Sequence, residues 1–118
     1  MTHIPPPESV DVPISALSHL AVEWWRVSST LAAAGNTPAG ARHGLRRIED
    51  FLKQTGFEVV SMNGRVFDPG LPLTVIDAVD DPAVLPGEAI VSETISPVVL
   101  YKGRVVRQGE VITRRGPA

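Results

Sequence analysis

The side chains that could carry out chemistry are few and scattered among the 118 residues. Three histidines are present: His3, His19 and His43. No carboxylate stands at a spacing from them that is typical of a metal site or a catalytic triad. Ser28-Ser29-Thr30 likewise has no base at a useful spacing, and no glycine-rich phosphate loop is present. We therefore expect neither an enzyme nor a nucleotide, metal or other cofactor.

An acidic cluster surrounds one predicted loop. Its members are Asp77, Asp80, Asp81 and Glu88. A calcium loop requires a tighter series of oxygen ligands with a central glycine, and that glycine is absent. The cluster is therefore interpreted as a solvated, charged turn.

The composition excludes several classes of protein. Eleven lysines and arginines stand against thirteen acidic residues, which is too even a balance for a nucleic-acid-binding surface. The absence of cysteine excludes disulfides, zinc–cysteine sites and thiol chemistry. We find no secretory leader and no apolar run long enough to cross a bilayer, so a cytoplasmic protein without membrane partners is expected.

Apolar periodicity predicts a helical hairpin over residues 14–56, after a flexible proline-rich lead-in over residues 1–13. The first helix is expected to end at Gly35, and the second, starting between Ala39 and Arg42, to end at Gly56. Spacings of three and four define an apolar seam on each helix. Its principal members are Leu17, Leu20, Trp24, Val27 and Leu31, followed by Leu45, Ile48 and Leu52.

This seam predicts helix-on-helix packing. A hairpin buries only one side of itself, so dimerisation into a four-helix bundle is the simplest way to cover the rest. The alternative is that the hairpin packs on the protein's own sheet. Trp25, about 100° around the helix from Trp24, would then cover the β region or remain exposed for a partner.

A period of two predicts a small all-β head domain over residues 57–118, so the fold class is α+β. Lys102-Gly103, between Val98–Tyr101 and Val105-Val106, predicts a tight hairpin, since glycine accepts a positive φ. Gly109 then interrupts the second arm before residues 111–113 resume it, which indicates a bulge or a corner. A small antiparallel sheet is therefore expected at this end.

This order of elements resembles the GrpE family, the nucleotide exchange factors of DnaK-type heat-shock chaperones. The resemblance covers residues 45–113. The family's K-x-x-G-V-E is matched by residues 53–58, its (F/L)-D-P-N-x-H-x-A by 67–74 and its P-G-x-V by 86–89. Its closing L-N-G-R-x-(I/L)-R-x-A-x-V is matched by 101–111.

The resemblance implies a co-chaperone for protein folding under stress. One β domain would bind the nucleotide-binding domain of the chaperone and promote ADP release, while the helices would form a homodimer. It also implies a set of partner-binding residues, matched by position. They are Phe67, Leu71, Thr74, Ile95, Arg104, Arg107 and Thr113. Each arginine could instead pair with a nearby acid such as Glu110 or Asp68.

Departures from the family pattern leave one other function open, and Pro86-Gly87 together with residues 103–111 suggests a second. Pro72 replaces the family's histidine, Thr74 replaces the following alanine, and Pro97 lies within the segment where the family has K-G-Y. About thirteen residues precede the first helix, so we expect a short form without the long N-terminal helices. A dimeric adaptor that docks without promoting exchange is one alternative. A carrier-type β domain, modified at Lys102, is the other, although Tyr101 and Gly103 do not match the usual flanking residues.

Overall fold

The computed structural model of the protein describes Ile4 and residues 8–118. His3 and the proline run 5–7 of the predicted lead-in lie outside the described residues. The two helices are α1 (Ile14–Ala34) and α2 (Ala39–Gln54). The strands are β1 (Phe57–Val60), β2 (Leu73–Asp80), β3 (Ala89–Ser96), β4 (Val98–Tyr101), β5 (Arg104–Arg107) and β6 (Gly109–Arg115). This arrangement confirms an α+β fold in which a helical hairpin precedes β-sheets.

Proline and glycine define the ends of both helices. Pro13 precedes α1 in an extended conformation, and its carbonyl accepts the N–H of Ala16 at 3.1 Å. Gly35 ends α1 with a left-handed φ of 74°. Pro38 precedes α2, and Gly56, with a φ of 97°, turns the chain from that helix into β1.

The strands form two separate three-stranded sheets. The first has the order β1-β4-β5 and is antiparallel throughout. The second has the order β2-β6-β3, in which β6 is parallel to β2 and antiparallel to β3. The hairpin turn predicted at Lys102-Gly103 is confirmed, with φ angles of 48° and 80°. The expectation that residues 111–113 extend the same antiparallel sheet is wrong, because β6 passes into the second sheet.

The two sheets meet at a corner, where the chain passes from one sheet to the other at two neighbouring points. Pro97 alone separates β3 from β4, and Gln108 alone separates β5 from β6. Pro97 is fully buried, and the N–H of Gly109 donates to the carbonyl of Pro72 at 3.0 Å. A Cβ on Gly109 would lie 2.9 Å from the Leu73 side chain and 3.1 Å from the Ser96 carbonyl oxygen. An alanine at this position would force the Leu73 methyl group and the Ser96 carbonyl to shift, so the close packing favours glycine.

The helices pack against the first sheet. Its core consists of Ala21, Val22, Leu52, Phe57 and Val99, with Leu17, Trp24, Val59 and Tyr101 packed around them. Leu17, Trp24 and Leu52, which the sequence assigned to a dimer interface, are thus used within the chain. The physical reason is that a two-helix hairpin has two apolar sides, and β1 and β4 cover one of them.

The second sheet has a core of its own. Val91 and Val111 are completely buried, and Thr94 and Thr113 lie beside them in the same face of the sheet. The segment between β1 and β2 runs along the outer edge of β3, where Val66 forms an antiparallel bridge with Ile90. Met62 and Val84, from the two long loops, are also buried.

We expect Gly109→Ala to lower the free energy of unfolding by about 1–3 kcal/mol, since the added methyl group has no room at the corner. Gly44→Ala is the matched control, because Gly44 lies in α2 and a Cβ there meets nothing within 4 Å. That substitution should stabilise the protein by about 0.5–1 kcal/mol through helix propensity. Urea denaturation measures both values. Equal effects of the two substitutions would contradict the close packing of the corner.

Candidate partner-binding surfaces

The partner-binding residues predicted from the sequence do not form one patch. The N–H of Phe67 donates to the carbonyl of Ala89, at the start of β3, whereas Ile95 lies six residues further along that strand. Six residues correspond to about 20 Å of strand. Leu71 and Thr74 lie at the Ile95 end, because Thr74 pairs with Glu110, and Glu110 also pairs with Ser96. Phe67 is therefore separated from the other three.

Thr113 does not lie on the surface. Its side chain is 2% exposed, and it faces the interior between Ala78 and Val91. The sequence placed it in a contact patch by position alone. Alternation along β6 explains the difference, since Gly109, Val111 and Thr113 all point inward. Thr113 belongs to the core of the second sheet.

The outward residues of the second sheet form an exposed surface that the sequence analysis did not identify. We call it the outer sheet face, and it consists of Thr74, Asp77, Glu93, Glu110, Ile112 and Arg114. Half-buried Ile112 has Asp77 opposite it on β2 and Glu93 opposite it on β3. Glu110 lies two residues along β6 and therefore on the same face. Three exposed acidic residues thus neighbour this apolar side chain, and Arg114 lies two residues along β6 in the other direction.

The acidic residues that were predicted to cluster around one loop have different surroundings in the structure. Asp77 lies within β2 and accepts the backbone N–H of Ala78 through its own carboxylate. Asp80 forms an ion pair with Arg115, and Asp81 forms one with Arg114 at 3.4 Å. The Asp80 carboxylate raises the pKa of Arg115 through their hydrogen bond. No group of three potential metal ligands occurs among the residues that the structure describes.

Arg104 and Arg107 lie in the first sheet, on β5. Arg104 pairs with Tyr101 across the hairpin, and Arg107 pairs with Val99. Neither guanidinium forms an ion pair within the described part of the chain, where four such pairs occur elsewhere. The pairing with Glu110 or Asp68 that the sequence left open is therefore not observed.

The helical hairpin retains an uncovered apolar stripe. Four of its side chains are between 38% and 48% exposed: Leu20, Val27, Ile48 and Phe51. Leu20 and Val27 are seven residues apart on α1, and Ile48 and Phe51 are three apart on α2, so each pair shares one helix face. Phe51 was missed, although its spacing from Ile48 would have identified it. We call these four residues the hairpin stripe.

The remaining predicted seam residues lie between the helices. Trp24 donates its indole N–H to the carbonyl of Leu45 at 2.9 Å, which fixes α1 against α2. Leu31 and Leu45 are half-buried in the cleft beside it. Trp25 is half-buried as well, and His19 and His43 are exposed. Some of the predicted seam residues thus pack within the chain, and the others belong to the hairpin stripe.

Among the described residues, no helix has the length and apolar character needed to cross a membrane. A scan of protein-family models found no match to this chain, and a search of curated proteins found none either. The function must therefore be argued from the surfaces described above.

Leu52→Ala is expected to lower the free energy of unfolding by about 2–5 kcal/mol, because Leu52 is 2% exposed in the core between helices and sheet. The same substitution at Leu85, which is 65% exposed, provides the control and should change stability by less than about 0.5 kcal/mol. Chemical denaturation followed by tryptophan fluorescence measures both. A small effect at Leu52 would contradict the docking of the hairpin on the first sheet.

Proposed function

We propose that this protein is a GrpE-like co-chaperone that forms a homodimer through its hairpin stripe and binds a DnaK-type chaperone through its outer sheet face. The observation that carries the proposal is the presence of two exposed surfaces on different elements, one apolar and helical, the other on a sheet. A protein that binds both itself and a partner requires two such surfaces. The order of helical hairpin, Gly56 turn and β-sheets supports the same assignment.

Dimerisation is supported by the position of the hairpin stripe. Leu20, Val27, Ile48 and Phe51 remain exposed after the other side of the hairpin has packed on β1 and β4. Each of the four is already more than half buried, so covering it would contribute less than half of the about 1.5–3 kcal/mol that full burial of a large apolar side chain gives. A two-fold axis would cover all four in both protomers. The proposed interface is therefore narrower than the full seam, because Leu17, Trp24 and Leu52 are already engaged.

The proposed chaperone contact is centred on Ile112, with Thr74, Leu71 and Ile95 at the same end of the sheet. An apolar centre with a charged rim is typical of protein interfaces. Nucleotide release would follow from binding energy alone. If the protein binds the open form of the chaperone domain about 1.4 kcal/mol more tightly than the closed form, it shifts that equilibrium tenfold.

A non-exchanging adaptor is the second candidate, and the corner favours it. The carbonyl of Pro72 accepts the N–H of Gly109, and the hydroxyl of Thr74 donates to Gln108 at 3.2 Å. Two positions that depart from the family pattern therefore make intramolecular contacts. The carrier alternative is disfavoured, because the Lys102 ammonium lies 5.3 Å from the centre of the Tyr101 ring and its stem packs near Gly56. A carrier lysine must be free to move.

Sedimentation should detect a dimer at micromolar concentration. Replacing Val27 and Phe51 together by serine should shift the protein to a monomer with unchanged circular dichroism, because both side chains lie in the hairpin stripe. Leu85→Ser removes an exposed apolar side chain elsewhere and should leave the dimer intact. A wild-type monomer, or a double variant that still dimerises, would exclude the proposed interface.

The exchange activity is tested by stopped-flow release of fluorescent ADP from the nucleotide-binding domain of the DnaK-type chaperone from the same organism. We expect the wild-type protein to accelerate release at least about tenfold. Ile112→Asp should abolish the acceleration, whereas Leu85→Asp should preserve it. Binding without acceleration would favour the adaptor, and no binding would reject both functions.

A further inference from the structure

Within the described part of the chain, one side of β5 has no neighbouring strand. The order β1-β4-β5 places β5 at the edge of the first sheet. Arg104, Val105 and Val106 are exposed and Arg107 is half-buried, while α1 packs against part of this strand. An edge strand presents backbone N–H and C=O groups that an extended segment of another chain can pair with.

All the charged residues of the hairpin that contains this edge are cationic. Residues 98–108 include Lys102, Arg104 and Arg107 and contain no acidic residue. Neither arginine forms an ion pair with any described residue, and the Lys102 ammonium lies against the Tyr101 ring. Positive charge on an edge discourages pairing with a neutral or basic strand. The same charge favours an acidic one, because opposite charges on adjacent strands attract.

A groove lies beside the edge, between α1 and β5. It has a volume of about 540 Å³ and is lined by Ile14, Ser15, Ser18, His19, Val106 and Arg107. Its wall combines two apolar side chains with hydroxyl groups and the Arg107 guanidinium. An apolar side chain of a bound strand could enter the groove while the neighbouring carboxylates face the arginines.

We propose that the free edge of β5 binds an extended acidic segment of another protein by strand addition. Backbone hydrogen bonds to β5 would supply the alignment, and Arg104 and Arg107 would select carboxylates at alternate positions of the segment. This site is on the first sheet and is distinct from the outer sheet face proposed for the chaperone. Its existence does not depend on nucleotide exchange.

The test is fluorescence anisotropy with a labelled short peptide of alternating glutamate and valine residues. We expect saturable binding that weakens with added salt and falls at least about tenfold when Arg104 and Arg107 are both replaced by glutamate. Replacing Arg46 and Arg47 by glutamate makes the same change of charge on exposed positions of α2 and should leave the affinity within about twofold.

A second peptide separates strand addition from simple charge attraction. It carries the same side chains but is N-methylated at every backbone amide, so it keeps its charge and loses the hydrogen-bond donors of both edges. Strand addition requires this peptide to bind the wild-type protein at least about tenfold more weakly. Equal binding of the two peptides would overturn the proposal, as would no binding of the first or an equal loss in the α2 variant. This comparison also remains decisive if the β5 variant fails to fold.

Discussion

The corner between the two sheets is the constraint on which the rest of the structure depends. Two stretches of chain cross there side by side, through Pro97 and through Gln108, and Gly109 fits between Leu73, Ser96 and Val98. Pro97 and Gly109 are both buried where the chain passes from one sheet to the other. Every exposed surface of the β region takes its orientation from this junction.

The helical hairpin is joined to the first sheet by a second set of contacts. Leu52, Phe57 and Val99 form one core, and the indole of Trp24 connects the two helices through the Leu45 carbonyl. Among the residues that the structure describes, no comparable packing joins the helices to the second sheet, whose core is formed by Val91, Val111 and Thr113. The protein therefore presents its helices and its outer sheet face on separately packed cores. The proposed dimer contact and the proposed chaperone contact therefore lie over different cores.

Local signals in the sequence were sufficient to predict the helices, strands and turns. They were insufficient to predict which strands pair. Pro13, Gly35 and Gly56 define helix ends through backbone geometry alone, and Lys102-Gly103 defines a turn of two residues. The parallel pairing of β2 with β6 depends instead on residues more than thirty positions apart, for which no local pattern exists. Thr113 was misplaced on the surface for that reason, and Ile112 was overlooked.

The apolar seam of the helices shows a second limit of prediction from the sequence. Its spacing correctly indicates an apolar surface on each helix, but periodicity does not say which chain covers that surface. Leu52 and Phe51 are adjacent in sequence and are equally apolar, yet one is buried and the other exposed. Only the position of β1 and β4 distinguishes them.

The central position of β6 in the second sheet affects how the protein folds during synthesis on the ribosome. β2 and β3 do not pair with each other, and both are bridged only by a strand that is synthesised after them. The second sheet therefore cannot form until β6 has left the exit tunnel, while the helices and β1 can collapse earlier. During that interval the apolar faces of β2 and β3 are exposed to solvent, which makes the nascent chain vulnerable to aggregation. A protein proposed to assist a chaperone would itself pass through a stage at which chaperones are most needed.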